Sequence, residues 1–367
     1  MPHPVGVTPE SSIFVHATNI TGLGAAQVAR SIIEALLSER EGPRLDCWVP
    51  TVGPLAGIGS TSPRATFHRF RRRLPNSLSR FLECRFSSRY FPAASHGITL
   101  GDVPLGHLGR QVVLAHQPHL TSPKVNPNAS KQLNSRMLRR LFRRNLRYVD
   151  HLVVQTDVVR DELLTSYPEL DGRLEVIPQP PPVWFRYRST EAGRRPTDVP
   201  LRLFYPAAGY DHKNHRLLGE MAALPAVEGF DELVITLRPE EASVVDAGIP
   251  WIRNVGRLDP EACLAAYAEV DALFFPSTAE SYGLPLVEAM VLGLPVVCAD
   301  LPYARWLCED QAIYFDPRDP AAAWRAVTQL VLRRQSGWRP DYERSLAKLP
   351  RDWEEVAEGF LDLLYER

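Results

Sequence analysis

The sequence predicts an α/β fold: two doubly wound parallel-sheet domains facing a cleft, followed by one terminal helix. Three observations predict it. Strand-like and helix-like segments alternate along the chain, which in compact proteins means parallel strands covered by helices on both faces. The alternation breaks once, at Pro178-Gln-Pro-Pro-Pro182, where neither strand nor helix continues. A chain of 367 residues is long enough for two domains, each with its own core. The expected boundaries are residues 1–182, 183–350 and, for the terminal helix, 351–367.

In the first half, Ser12-Ile-Phe-Val-His-Ala reads as a strand, and residues 25–37 as a helix from their apolar residues at i+3 and i+4. Leu45-Asp-Cys-Trp-Val is a second strand. Gln111-Val-Val-Leu-Ala is a buried strand running into His116-Gln-Pro-His119. A basic helix is expected over 131–148, a strand at Leu152-Val-Val-Gln, a helix over 157–166 and a closing strand at Leu174-Glu-Val-Ile. The polar, Arg-rich stretch from there to Pro200 reads as a linker. The second half repeats the pattern: a strand at Leu201-Arg-Leu-Phe-Tyr, a helix over 215–224, strands at Glu232-Leu-Val-Ile-Thr-Leu and Trp251-Ile-Arg-Asn-Val, and a helix over 260–270. Ala312-Ile-Tyr-Phe is the last strand, with a helix over 320–332 behind it. Residues 352–365 form an amphipathic helix with Trp353, Val356, Phe360, Leu363 and Leu364 on one face.

Composition narrows the function classes. No apolar run is long enough to span a membrane, and Met-Pro-His-Pro-Val-Gly lacks a basic start and an apolar signal core, so a cytoplasmic protein is expected. The five cysteines are scattered without a C-x-x-C pair, which points to free, mostly buried thiols rather than a disulfide framework or a zinc site. A net charge of −1 hides an asymmetry. Residues 1–180 carry 22 basic and 14 acidic side chains, and residues 64–147 carry 17 basic and 2 acidic ones. Two halves of opposite charge suit different partners.

The segment with most chemical content is Glu280-Ser-Tyr-Gly-Leu-Pro-Leu-Val-Glu288-Ala-Met, set between the apolar runs Asp271-Ala-Leu-Phe-Phe-Pro-Ser and Leu294-Pro-Val-Val-Cys-Ala-Asp. It reads as strand, glycine-containing loop, helix, strand. The loop offers backbone N–H groups at a helix N-terminus, an anion site by construction. Pro285 suits the first helical turn, where a missing donor costs nothing. Glu280 before the turn and Glu288 one turn into the helix are placed to face a ligand whose phosphates rest on the helix end. The ordinary alternative is a surface helix that happens to carry a Glu.

The whole string resembles the E-x7-E signature of retaining nucleotide-sugar glycosyltransferases of family 4, with the GT-B fold. Pro276-Ser277, Tyr282-Gly283-Leu284, Glu288-Ala289-Met290 and Gly293-Leu-Pro-Val stand where that family has them. The resemblance is dense over residues 201–319 and diffuse before. It implies that 1–182 binds the acceptor, that 183–350 binds the nucleotide sugar, and that the terminal helix packs back on the first domain. It implies Glu288 on the ribose, where a carboxylate matches two vicinal hydroxyls. Glu280 would then reach the sugar, and the Gly283 and Leu284 N–H groups, with Ser281 and Tyr282 beside them, the diphosphate. A covalent glycosyl-enzyme would need a carboxylate on the face opposite the leaving group, and a same-face attack assisted by the leaving phosphate needs none; the residues leave both open, and the resemblance favours the second.

Three further places carry weaker signals. Gly22 and Gly24 follow the first strand; glycine there permits close approach of a ligand, or simply a tight turn, and the resemblance puts them near donor phosphate and acceptor. His116 ends a buried strand. Alone it is as readily a structural loop histidine; by resemblance it lines the cleft near the donor sugar, with His119 the lesser candidate. Lys213, in Asp211-His-Lys-Asn-His215, resembles the family's donor-phosphate motif and is otherwise a solvated loop lysine. Here the chain departs from the pattern. Many members carry an Arg six residues earlier, and this chain has Ala207; Arg238, at the end of the next strand, is the candidate replacement and equally an ordinary surface arginine.

No Asp-x-Asp stands near a strand end, so no essential metal and no cofactor are expected; Lys213, N–H groups and the helix dipole must meet the diphosphate charge. The strings at 67–74 and 137–147 interleave arginine with apolar residues. No nucleic-acid fold signature accompanies them, and helices lying flat on an anionic membrane surface are the preferred reading over a solvated basic face. The expectation is a retaining, metal-independent hexosyltransferase with a glycan or lipid-linked acceptor, acting in bacterial cell-surface polysaccharide synthesis, peripheral on the inner face of the membrane. A phosphorylase lacks any signal for its pyridoxal cofactor, and the E-x7-E string argues against an epimerase. The alternative from another class is a catalytically silent glycan- or membrane-binding subunit.

Overall fold

The buried apolar runs become the strands of two parallel sheets. The computed structural model describes residues 12–20, 22–38, 42–71, 76–117, 120, 129–185, 195–245 and 248–366. It divides into two units, Met1–Pro180 with Pro350–Arg367, and Pro181–Leu349. The candidate residue His119 lies outside the described residues.

In the first unit, β1 (Ser12–His16), β2 (Arg44–Pro50), β3 (Ala65–Phe70), β4 (Ala94–Thr99), β5 (Leu108–Leu114), β6 (His151–Val154) and β7 (Leu174–Val176) lie in the order β3-β2-β1-β4-β5-β6-β7. Its helices are α1 (Leu23–Ser38), α2 (Asn76–Arg85), α3 (Ala129–Asn145) and α4 (Asp157–Ser166). Strand order reverses between β1 and β4, which pair in parallel register with Ile13 beside His96. Such a reversal parts the loops that leave the two strands, and open sheets bind ligands there.

The second unit repeats the design. Strands β8 (Leu201–Tyr205), β9 (Phe230–Ile235), β10 (Ile252–Asn254), β11 (Ala272–Phe275), β12 (Val296–Ala299) and β13 (Ile313–Phe315) run β10-β9-β8-β11-β12-β13. The helices are α5 (Arg216–Ala222), α6 (Pro260–Ala268), α7 (Leu284–Val291), α8 (Pro302–Cys308), α9 (Pro320–Gln335) and α10 (Glu343–Leu346). β11, with all four residues buried, sits between β8 and β12, so the reversal falls between β8 and β11. A strand covered on both faces must be apolar throughout, as Ala-Leu-Phe-Phe is.

The terminal helix α11 (Trp353–Tyr365) belongs to the first unit, where it packs on α1 and along β4 and β5. Trp353, Val356, Phe360, Leu363 and Leu364 are all buried, the face its periodicity marks. Burying each is worth roughly 1.5–3 kcal/mol. Asp352 caps the helix by accepting from the Glu355 N–H.

One expectation needs correction. The described start of the basic string at 67–74 is not a helix lying on a surface: Phe67–Phe70 are the last four residues of β3, in register with β2, and residues 72–74 lie outside the described residues. Thr66, Phe67 and Phe70 favour a strand, and Trp48 of β2 stacks on His68 with ring centres 4.6 Å apart. Among the described residues, no helix is long and apolar enough to cross a membrane.

Candidate functional site

The strand reversal of the second unit brings together the loops that follow β8 and β11. They are tied by several hydrogen bonds. Asn214, in the left-handed region at φ 57°, donates from its amide to the carbonyls of Pro276 (3.2 Å) and Pro317 (2.9 Å). Asparagine tolerates that conformation better than most residues. The His212 carbonyl accepts from the Thr278 N–H at 2.8 Å and from the Ser277 hydroxyl at 3.0 Å. Tyr205, buried at the end of β8, donates to the Lys213 carbonyl at 2.6 Å.

These ties set Lys213 against Glu280. The lysine Nζ is 2.5 Å from Glu280 Oε1 and lies 5.5 Å from the centre of the Phe275 ring. Ser277 donates to the same oxygen at 2.6 Å. The two ionic side chains are 16% and 13% exposed, so the pair is largely shielded yet open on one side. Removing one partner from such a pair leaves a poorly solvated charge.

The helix behind this pair, α7, opens without a side-chain cap, as α5, α8 and α10 also do. Asp259 caps α6 and Asp319 caps α9 through side-chain oxygens, whereas α7 begins at Gly283 with no side-chain cap. Gly283 has φ 106°, a conformation closed to side chains at low cost, and a Cβ there would stand 3.2 Å from Leu286. Among the described residues, the Gly283 and Leu284 N–H groups meet no acceptor within the protein. Pro285 stands in the first turn. Ser281 and Leu284 are half-buried; Tyr282 is buried beside Trp306, ring centres 6.5 Å apart.

Glu288 is buried on α7, 7% exposed. Its Oε2 accepts a 2.7 Å hydrogen bond from Tyr267 of α6. Burial pushes its carboxyl up to about 7, and the Tyr267 bond works against that rise. Arg238, by contrast, is turned to its own loop: it meets Glu241 at 2.9 Å and Glu240 at 3.1 Å. Ala207 is buried. His215, with both ring nitrogens unpartnered and its pKa lowered to about 4 by burial, is a packed histidine against Tyr205.

In the first unit His116 follows β5. Asp102, after β4, accepts from the His116 N–H (2.8 Å) and the Gln117 N–H (3.1 Å) and from Arg80 of α2 (3.0 Å). The His116 ring Nδ1 lies 3.6 Å from the same carboxylate. Asp102 adopts φ 68°, and its carboxylate is buried. Gly22 and Gly24 flank the start of α1, and a Cβ on either would meet nothing within 4 Å, so the folded chain itself does not require glycine there.

The sequence did not mark Asp102, Arg80, Ser277 or Tyr267 as site residues. Asp102 and Arg80 stand in no motif. Tyr267 reads as one more apolar residue of a short helix. Ser277 carried a signal, since it sits in the Pro276-Ser277 pair next to Glu280. Among the described residues, no cluster of His, Cys, Asp and Glu has the arrangement of a metal site.

Residues 207–333 match the family model described as glycosyl transferases group 1. The O-antigen chain mannosyltransferase B of Escherichia coli is 33% identical over 89 residues, covering 24% of this chain and 23% of that protein. The D-inositol 3-phosphate glycosyltransferase of Corynebacterium kroppenstedtii is 30% identical over 205 residues, covering 49% and 45%. The chain spans less than half the length of the curated relatives it matches. Among solved structures, WaaG, a glycosyltransferase involved in lipopolysaccharide biosynthesis, aligns with TM-score 0.70 over 97% of this chain and 100% of that one, at 14% identity. That likeness shows the fold, GT-B, with its two parallel sheets and terminal helix on the first unit.

Proposed function

We propose, from the match of residues 207–333 to the family model described as glycosyl transferases group 1, that the chain is a retaining glycosyltransferase moving a hexosyl group from a nucleotide sugar to a glycan or lipid-linked acceptor in cell-surface polysaccharide synthesis. The observation that carries the reading is the joining of Lys213 and Glu280 across the β8–β11 reversal, beside the uncapped start of α7. A diphosphate resting on the Gly283 and Leu284 N–H groups would have Lys213 as its cation. Glu280 would hold the sugar and Glu288 the ribose, with Ser281 and Tyr282 shaping the loop. His116, with Gly22 and Gly24, is the first unit's contribution to sugar and acceptor. Arg238 would have to leave Glu240 and Glu241 to serve the phosphates in place of the Arg absent at Ala207. The names of the relatives suggest mannose as the sugar to test first.

The experiment is a thermal-shift and hydrolysis panel of UDP-, GDP-, ADP- and TDP-sugars without added metal. One nucleoside diphosphate is expected to raise the melting temperature. Its sugar donor should be hydrolysed slowly by the wild type and not by Glu288→Ala. No response to any of the four would sink the assignment. Lipid binding without nucleotide affinity would favour a silent subunit.

We also propose that α3 rests on an anionic membrane surface. Leu141, Phe142 and Leu146 are buried in the first unit, while Arg136, Arg140, Arg143, Arg144 and Arg147 are exposed around a 39% exposed Met137. Arg143 is partly answered by Glu169 at 2.9 Å. Each free arginine near such a surface is worth about 1 kcal/mol. The protein should float with phosphatidylglycerol vesicles and not with phosphatidylcholine ones. Changing Arg136, Arg140 and Arg144 together to Gln should weaken binding by about two orders of magnitude. Equal binding to both vesicle types would contradict the idea.

A further inference from the structure

Glu288 meets one described hydrogen-bond donor in the folded chain, and it is a side chain that no functional motif includes. The Tyr267 hydroxyl lies 2.7 Å from Glu288 Oε2, and its side chain is fully buried. The ring is held by edge-on contacts with Phe204 (4.9 Å, 89°) and Phe185 (5.8 Å, 82°), so the phenol has little room to swing. Burial, and then the charge of Glu288, push the ionisation of this phenol well above its ordinary range. It therefore donates, and the carboxylate accepts. A carboxylate has about four lone-pair sites on two oxygens. One is taken by Tyr267 on the protein side.

Building on the proposed function, we propose that Tyr267 is a positioning residue. It fixes the Glu288 carboxylate by one oxygen so that the remaining sites accept the vicinal 2′- and 3′-hydroxyls of a ribonucleoside diphosphate. Nothing else described competes for the task. From α6, Cys263 faces Glu288 as a thiol held protonated by burial and by that same carboxyl. From α8, Tyr303 turns to the Ser277 carbonyl (2.7 Å) and Cys308 to the Met290 sulfur (3.8 Å). Cys298 of β12 is buried next to Cys308. α10 offers Glu343 and Arg344, the latter paired with Glu309. A buried carboxylate with no donor would favour its neutral form, and a neutral acid accepts fewer hydroxyls. The Tyr267 bond keeps the accepting form in use.

Tyr267→Phe keeps the ring and its packing and removes only the donor. Two measurements on the full chain test it. The first needs no ligand: isotope-edited infrared titration of the Glu288 carboxyl, assigned by subtracting Glu288→Gln. The carboxyl should titrate near pH 7 in the wild type and at higher pH in Tyr267→Phe. The second is calorimetric binding of whichever of UDP, GDP and ADP the wild type takes, against its 2′-deoxy analogue. At pH 7 the variant should bind the ribonucleotide about tenfold more weakly, the loss of one hydrogen bond to a charged group. The deficit should shrink as pH rises, and should be smaller for the 2′-deoxy analogue. An unmoved titration overturns the proposal whatever the nucleotide does. An equal loss for both analogues makes Tyr267 a purely structural residue and also overturns it. A wild-type protein that binds none of the three overturns the role given to Tyr267, and only silence toward TDP as well removes the functional reading.

Discussion

Lys213→Ala and Glu280→Gln should each lower kcat/KM for sugar transfer by about 10²- to 10³-fold, the usual cost of removing one charge-stabilising group from a reacting centre. The double variant should be little worse than the poorer single one. In the free protein the two side chains meet at 2.5 Å and share Oε1 of Glu280 with Ser277. Each therefore holds the other in place before any ligand arrives. Removing the ammonium leaves Glu280 with Ser277 as its neighbouring donor and frees the carboxylate to turn. Neutralising Glu280 leaves Lys213 without its counter-charge, over the face of Phe275. Groups that work as one unit give losses that do not add. Steady-state kinetics on the two single variants and the double variant check this. Losses that multiply cleanly, or a single variant with wild-type kcat/KM, would contradict the shared role.

Glu288→Gln should make the protein more stable and less able to bind its donor. Burial raises the Glu288 carboxyl from 4.5 to about 7. A carboxyl with a raised folded-state pKa binds its proton more tightly folded than unfolded. The protein is thus favoured below the unfolded value, and that advantage is lost as pH climbs from 4.5 through about 7. Above that the net cost of ionising the buried carboxyl remains, on the order of 3 kcal/mol. Glutamine carries no charge, and its amide oxygen still accepts from Tyr267. The variant should therefore melt several degrees higher than wild type at pH 8, with the gap closing toward pH 4.5. Donor KM should rise about 10- to 100-fold, since an amide cannot accept from two hydroxyls as a carboxylate does. Melting curves from pH 4.5 to 8 and donor titrations decide it. A variant less stable than wild type at pH 8 would show that burial does not strain Glu288. The opposite signs of the two effects are what a buried charge retained for binding should show.

Much of the fold is legible in the sequence because its signals are local. Ala272-Leu-Phe-Phe reads as a doubly covered strand without knowledge of its neighbours, and it is one. The apolar face of the terminal helix reads from spacing alone. What escaped reading has physical causes. β3 is an edge strand whose residues are half-buried or exposed, and β4 carries Ser95, His96 and Gly97 among its apolar residues. Neither has the continuous apolar run of a central strand. α2 is short and poor in apolar residues, and α8 lies only seven residues long behind Pro302.

By itself the sequence determined the alternation of strand and helix, the break near Pro180, the glycine turn before α7 and the residue types grouped around it, because each depends on neighbours along the chain. Only the tertiary structure decided that Lys213 meets Glu280, which is 67 residues away, and that Tyr267 holds Glu288. Those pairings follow from β8 lying beside β11 and from α6 facing α7. Strand order is a competition among whole layers for burial, and periodicity along one segment carries no record of which segment will lie next to it.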